Sequence, residues 1–281
     1  MQSVVVTGVS TGIGWGITKV LIERGFRVFG SVRKTQDAER LSEEFGERFV
    51  PLRFDVTEEA AVQAAAQGVR EQMNGETLFG LVNNAGIAAP GPLIHLPTED
   101  FRYQLEVNLV SVLIVTKAFV PLLGADRSLR GRPGRIINMS SVSGKSAPPF
   151  VGAYAASKHG LEGFSESLRR ELQLYGIDVI IIGPGPVSTP IWDKAEAVDI
   201  AAYAKTDYVE SARRAREYMI RNGKNGLPPE KVGEVVWQAL TSRNPRVRYA
   251  VVGGGFLRRF LQRFLPKRVV DRIVAKNLGF K

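Results

Sequence analysis

Seven short apolar runs recur along the chain, at residues 4–6, 27–32, 49–54, 78–82, 135–139, 178–182 and 247–252. Helix-length stretches lie between them, among them 14–23, 58–72, 101–122 and 153–174. Strands that stay apolar throughout, with helices between, require a parallel sheet covered on both faces. The pattern predicts an α/β architecture: one doubly wound parallel sheet of about seven strands, with residues 1–281 forming a single domain. No internal repeat or low-complexity linker interrupts it. The alternation breaks at 191–226, a helical stretch rich in Ala, Tyr and charge between the sixth and seventh strands. Ligands in such sheets sit at the carboxyl ends of the strands, so this stretch is expected to be a lid.

Composition adds two constraints. An apolar fraction of 44% with 23% charged residues is ordinary for a globular protein. The absence of cysteine excludes disulfides, thiolate catalysis and cysteine-ligated metal. The N-terminus opens straight into a strand, and no run reaches the roughly 18 uninterrupted apolar residues of a spanning helix. A cytoplasmic protein is expected, without signal peptide or N-terminal anchor. The formal charge of +10 is concentrated late: residues 205–281 hold 18 Lys and Arg against 6 Asp and Glu.

The first turn reads Thr7-Gly8-Val9-Ser10-Thr11-Gly12-Ile13-Gly14. Glycines at that spacing, between a first strand and a first helix, let backbone amides approach a pyrophosphate. Gly8, Ser10, Thr11, Gly12, Ile13 and Gly14 are therefore candidate cofactor contacts. The second strand ends Ser31-Val32-Arg33-Lys34, with no acid until Asp37. A carboxylate there would suit a ribose 2′-hydroxyl, whereas cations suit a 2′-phosphate. NADP(H) is thus favoured over NAD(H), with Arg33 as anchor assisted by Lys34. Asp55 and Val56 are placed to meet the adenine edge. Asn83, Ala85 and Gly86, in the run Asn83-Asn84-Ala85-Gly86, close the fourth strand beside the cofactor.

Tyr154 is followed four residues later by Lys158, one helical turn away on the same face. A free tyrosine titrates near pH ~10. An ammonium at roughly 4 Å, with an effective dielectric of about 20, would favour the phenolate by about 4 kcal/mol, or roughly three pKa units. Such a pair is common on ordinary helices, and its weight comes from its neighbours.

Taken in order, Thr7-Gly8-x-x-x-Gly12-x-Gly14, Asn83-Asn84-Ala85-Gly86, Asn108, Ser141, Tyr154-x-x-x-Lys158 and Pro184-Gly185-Pro186-Val187-Ser188-Thr189 resemble the short-chain dehydrogenase/reductase family. The Val32-Arg33 pair and the Gly-Pro-Gly-Pro-Val stretch look most like its retinol and hydroxysteroid dehydrogenase branch. The resemblance implies a Rossmann-type fold and a catalytic group of Asn108, Ser141, Tyr154 and Lys158. Ser141 would bond the substrate oxygen and Tyr154 would give or take its proton. Lys158 would lower the tyrosine pKa and hold the nicotinamide ribose, and Asn108 would hold a water linking Lys158 to solvent. Pro184, Gly185, Val187 and Thr189 would clamp the nicotinamide. No metal is implied, and both His95 and His159 are expected to be structural.

The reaction implied is hydride transfer between NADP(H) and a lipophilic alcohol, ketone or aldehyde, by a homodimer or homotetramer built through the helices of Asn108 and Tyr154. Apolar and aromatic residues expected at the pocket mouth (Pro148, Pro149, Phe150, Ile191, Trp192, with Tyr203, Tyr208, Tyr218 and Met219) motivate the substrate class. The rival is a nucleotide-binding redox sensor or membrane-surface scaffold without turnover. In a C-terminal helical extension, 254–281, Phe256, Leu257, Phe260, Leu261, Phe264 and Leu265 form a stripe beside arginines. Pro266 breaks it, and Val269, Val270, Ile273 and Val274 begin another. Such a basic amphipathic tail can pack over the cleft, meet a neighbouring subunit or lie at an anionic membrane surface. Nucleic acid is not an expected partner.

Overall fold

A computed structural model of the chain describes residues 1–196, 200–253 and 265–280. The expected sheet is present. Its strands are β1 (Ser3–Val6), β2 (Arg27–Val32), β3 (Phe49–Arg53), β4 (Gly80–Asn83), β5 (Arg135–Met139), β6 (Asp178–Pro184) and β7 (Arg248–Val251). All pair in parallel, in the order β3-β2-β1-β4-β5-β6-β7. The order reverses between β1 and β4, which opens a crevice at their carboxyl ends.

The continuous apolar strands have the cause inferred from sequence: each residue of β1 and β4 is buried, on alternating faces. Val4, Val6, Val82 and Ile137 face one core with Ile17 and Leu21 of helix α1 (Gly12–Glu23) and Val232 and Val236 of the late helix Pro229–Thr241. Val5, Leu81, Ile136 and Val179 face the other, against Val62 and Val69 of the helix Glu59–Gln72 and Val115 and Phe119 of the helix Ser111–Phe119. Full burial of each such side chain contributes about 1.5–3 kcal/mol before chain entropy is counted.

The remaining helices complete the numbering. In chain order they are α2 (Thr35–Phe45), α3 (Glu59–Gln72), α4 (Thr98–Leu105), α5 (Ser111–Phe119), α6 (Gly152–Glu171), α7 (Ile191–Glu196), α8 (Val209–Lys224), α9 (Pro229–Thr241) and α10 (Lys267–Leu278). The predicted helix 101–122 is α4 and α5 joined by a single π turn, Glu106–Val110. Helical structure over Thr98–Leu123 is long and apolar enough to span a membrane by length and composition. One face of it packs into the protein, where Gln104 and Asn108 are fully buried and both bond the backbone of Ile87, while Val110 and Leu113 on the other side are exposed.

The segment expected to be a lid contains α7, a short 3-10 turn at Ile200–Tyr203, and α8. The ring of Trp192 on α7 lies directly over Gly223 of α8, leaving no room there for a side chain. Of the first C-terminal stripe, Phe256, Leu257, Phe260, Leu261 and Phe264 lie outside the described residues. The second forms α10 as expected, starting after Pro266. Its Val269, Val270 and Val274 are half-buried while Ile273 is exposed.

Candidate active site

The glycine turn leaves β1 and meets the loop after β4 at the crevice. Gly8 and Gly12 adopt positive φ, 69° and 63°. A Cβ on Gly8 would come within 2.9 Å of the Ala85 Cα, and one on Gly14 within 2.6 Å of Asn84 Nδ2. The turn is tied down on both sides. Asn84 Nδ2 donates to the carbonyls of Thr7 (2.9 Å) and Gly8 (3.0 Å). Thr7 Oγ1 accepts from the amides of Asn84 and Ala85, and the Gly8 amide donates to Ser31 Oγ. Thr11 at the N-cap of α1 makes no side-chain cap, so the first-turn amides are available to an anion. These bare glycine surfaces and free amides fit a dinucleotide pyrophosphate.

At the far end, Arg33 Nη1 lies 3.6 Å from Asp55 Oδ2. Asp55 also accepts from the Thr57 amide (3.0 Å) and hydroxyl (2.8 Å). Burial alone would raise its pKa, but the Thr57 bonds and the Arg33 charge together hold it below the ordinary carboxylate value. Arg33, Arg53 and Asp55 line a cleft of about 380 Å³ with Phe54, Glu58 and Ala61. Lys34 is exposed at the start of α2. Arg40 on α2 donates to the Ser10 carbonyl at 2.6 Å, linking this edge to the glycine turn. Val56 is buried in the core beneath.

Asn83 differs from its neighbours. Its side chain is buried and donates to Thr116 Oγ1 and Asn138 Oδ1, inside the sheet rather than in the crevice. Its side chain is therefore not turned toward the crevice as expected from sequence. Asn84, in the same motif, supplies the side-chain brace instead.

Ser141 follows β5, Tyr154 lies in the first turn of α6, and Lys158 is one turn on. The structure brings all three together. The Ser141 hydroxyl accepts from the Ser143 amide (3.0 Å) and touches the phenol of Tyr154, a contact that favours the phenolate. Burial nevertheless dominates and raises the phenol above its ordinary value. The ammonium does not offset this as expected from sequence. Lys158 Nζ sits 5.7 Å from the Tyr154 ring centroid and donates to the Met139 carbonyl at 2.8 Å. Burial lowers the Lys158 pKa to about 8.

Asn108, in the π turn, is fully buried. Its amide oxygen accepts from the Ile87 amide (2.9 Å), and its nitrogen donates to the Ile87 carbonyl and Ser157 Oγ (both 3.0 Å). Ser157 in turn donates to the Tyr154 carbonyl. The side chain therefore braces the loop after β4 against α6, with its amide engaged at both ends.

Pro184 ends β6, and the Gly185 amide donates to the Val251 carbonyl at 2.8 Å. Val187 is buried, its carbonyl accepting from Trp192 Nε1 at 2.7 Å. Thr189 lies against Gly12, 3.3 Å from where a Cβ there would sit. The loop after β6 thus borders the glycine turn. His159 bonds its own helix carbonyl at Ala155, and His95 stacks edge-on to Tyr208 at 5.6 Å. Phe150, at a left-handed φ of 65°, packs with Ala212 and Ala215 against Tyr203, Tyr208, Met219 and Leu278. Tyr218 is exposed and outside this cluster.

Fold, glycine turn and Ser-Tyr-Lys group define a nicotinamide-dependent oxidoreductase. The family model described as short chain dehydrogenase matches residues 2–199. The chain is 38% identical over 278 residues to an NADPH-dependent 3-dehydrocapnine reductase of Ornithobacterium rhinotracheale, covering 99% of this chain and 98% of that protein. It is 34% identical to retinol dehydrogenase 16 of Homo sapiens, covering 96% and 87%. A solved short-chain dehydrogenase from Streptomyces avermitilis shares the fold, with a TM-score of 0.76 at 24% identity over 99% and 97% of the two chains. The chain belongs to the short-chain dehydrogenase/reductase family. Its resemblance to retinol dehydrogenases, read from Val32-Arg33 and residues 183–187, is borne out at the level of the whole sequence.

Proposed function

We propose that the protein is an NADPH-preferring reductase interconverting a lipophilic ketone or aldehyde with its alcohol, with Tyr154 as proton donor. The observation that carries this reading is the meeting of Ser141, Tyr154 and Lys158 beside a turn built for a dinucleotide. NADPH, when bound, supplies the hydride. Gly8, Gly12, Gly14 and the α1 amides would hold its pyrophosphate, and Arg33 with Lys34 its 2′-phosphate. Ser141 orients the substrate oxygen and stabilises its developing charge. A phenol whose pKa is raised by burial stays protonated at neutral pH, which suits donation to that oxygen. Lys158, held on the Met139 carbonyl, would steady the nicotinamide ribose.

NADPH preference is supported by the cationic edge of Arg33 and Arg53 and by the NADPH-dependent relative. Arg33→Asp is expected to lower the NADPH-over-NADH ratio of kcat/KM by about 10- to 100-fold, the range of a lost charge-assisted bond. An unchanged ratio would count against Arg33 as the anchor.

The lipophilic substrate class is supported by the cluster of Phe150, Tyr203, Tyr208 and Met219 and by the retinol-acting relative. A carbonyl panel with NADPH tests it: long-chain or polycyclic ketones should turn over, and polyols and sugars should not. Turnover confined to sugars would remove this substrate class. A homo-oligomer built through α5 and α6 belongs to the same reading. The tail either packs over the cleft or a neighbouring subunit or lies at an anionic membrane surface. Equal pelleting of full-length and 1–255 protein with anionic vesicles would exclude the membrane role.

A further inference from the structure

The least expected feature near the site is a buried carboxylate. Glu162 is 5% exposed and lies one turn beyond Lys158, on the inner face of α6. Its Oε1 accepts from Ser140 Oγ at 2.7 Å. Arg248 of β7 donates through Nε to both carboxylate oxygens at 3.0 Å, and Lys145 Nζ stands 3.2 Å from Oε2. The same guanidinium reaches further: Arg248 Nη2 donates to the Ser141 carbonyl at 3.2 Å. The network therefore grips Ser140 by its hydroxyl and Ser141 by its backbone. Gly144 completes the fit, since a Cβ there would sit 2.6 Å from Ser140 Oγ and 3.0 Å from Glu162.

Burying an ion pair is not an economical way to stabilise a core, because well-packed apolar residues do as well or better. Its geometry offers something apolar packing does not. Helix α6 carries Tyr154, the end of β5 carries Ser141, and nothing covalent between residues 141 and 154 fixes their spacing. We propose that Glu162 and Arg248 are positioning residues that hold the Ser141 hydroxyl in register with the Tyr154 phenol, by clamping the backbone that carries Ser141 to the helix that carries Tyr154. The inference rests on the proposed roles of Ser141 and Tyr154. Neither Glu162 nor Arg248 touches the reacting groups; they act through Ser140 and the Ser141 carbonyl.

A misplacement of about 1 Å at a reacting group can cost roughly 100-fold in rate. Glu162→Gln keeps an acceptor for Ser140 and removes the charge that holds Arg248. Ser140→Ala removes a single hydrogen bond and is the milder change. With full-length protein, NADPH and the best ketone of the panel, kcat should fall about 10- to 100-fold in Glu162→Gln and about 3- to 10-fold in Ser140→Ala. KM and the NADPH affinity, read by fluorescence quenching that also counts folded sites, should stay within about twofold. The double variant should be slower than Glu162→Gln alone by no more than the Ser140→Ala factor, because the glutamine still accepts from Ser140 while the two changes release different arms of one network. An unchanged kcat per folded site in Ser140→Ala and Glu162→Gln, even with lowered thermal midpoints, would reduce the network to a structural ion pair and overturn the proposal. So would a loss carried by KM or by NADPH affinity. Tyr154→Phe in the same series separates the two levels: if it is inactive while both variants run at the parental rate, only the positioning role fails. If Tyr154→Phe itself runs at the parental rate, the reading of the site fails.

Discussion

Tyr154→Phe is expected to lower kcat/KM for carbonyl reduction by about 10²- to 10⁴-fold, the range that a positioned proton donor contributes. That loss corresponds to roughly 3–5 kcal/mol of transition-state stabilisation. The substitution removes one oxygen from a ring whose neighbours are otherwise untouched. The main-chain carbonyl of Tyr154, not its phenol, receives the Ser157 bond that ties α6 to Asn108. NADPH affinity and thermal stability should therefore stay near those of the parent. The pH dependence gives a second reading. Burial raises the phenol pKa, outweighing the Ser141 contact that lowers it. The protonated form needed for reduction thus predominates through neutrality, and reduction should fall only on the alkaline side. Alcohol oxidation needs the phenolate and should rise over the same alkaline range. Reduction that instead falls on going from pH 8 to pH 6 would mean that the phenol is not the proton source.

Much of this site could be read from the chain because its residues fall in local motifs. Gly8, Gly12 and Gly14 announce a turn, and Tyr154 and Lys158 announce one helix face, with no tertiary information. The strands were legible for a similar reason: residues 4–6 and 178–182 are apolar on both faces only if both faces are covered. What escaped was whatever depends on residues distant in sequence meeting in space. The brace from Asn84 to Thr7 and Gly8 joins positions more than 70 apart, and its partner Asn83, identical in type, turns into the sheet. Arg248 and Glu162 are 86 residues apart, and nothing in either neighbourhood signals the other. Spacing of four from Lys158 did place Glu162 on the inner face, and that was the available clue. The electrostatics of the pair escape the sequence for a related reason. Helical spacing fixed the face that Lys158 shares with Tyr154 but not the direction of its long side chain, which ends on the Met139 carbonyl.

That ending makes a measurable statement about stability. Lys158 is buried with a pKa lowered from 10.5 to about 8 by loss of hydration. In the unfolded chain the amine holds its proton up to the ordinary value, so between about pH 8 and 10.5 the unfolded state binds more protons than the folded one. Stability contributed by this group must then rise with pH across that window, and the penalty of a buried ammonium is fully present below it. The total swing is roughly 3 kcal/mol. Exposed groups titrate too, and Lys224, raised by its bond to Glu196, runs the other way. Such terms cancel in a difference between parent and Lys158→Met. Urea unfolding of both proteins without nucleotide, at fixed ionic strength from pH 7 to 10.5, should show the parent gaining on the variant by about 2–3 kcal/mol as pH rises. The lost bond to the Met139 carbonyl shifts the two curves by a constant and leaves the slope untouched. Parallel curves would mean that the amine is hydrated in solution and titrates as it would on the surface. The same shift links stability to chemistry: an amine near half-protonation at pH 8 changes the charge beside the phenol within the range where reduction and oxidation exchange dominance. The alkaline limbs of the two rate profiles should therefore belong to the Tyr154–Lys158 pair jointly. In Lys158→Met the residual reduction should lose the limb near pH 8 and retain only a later one from the phenol.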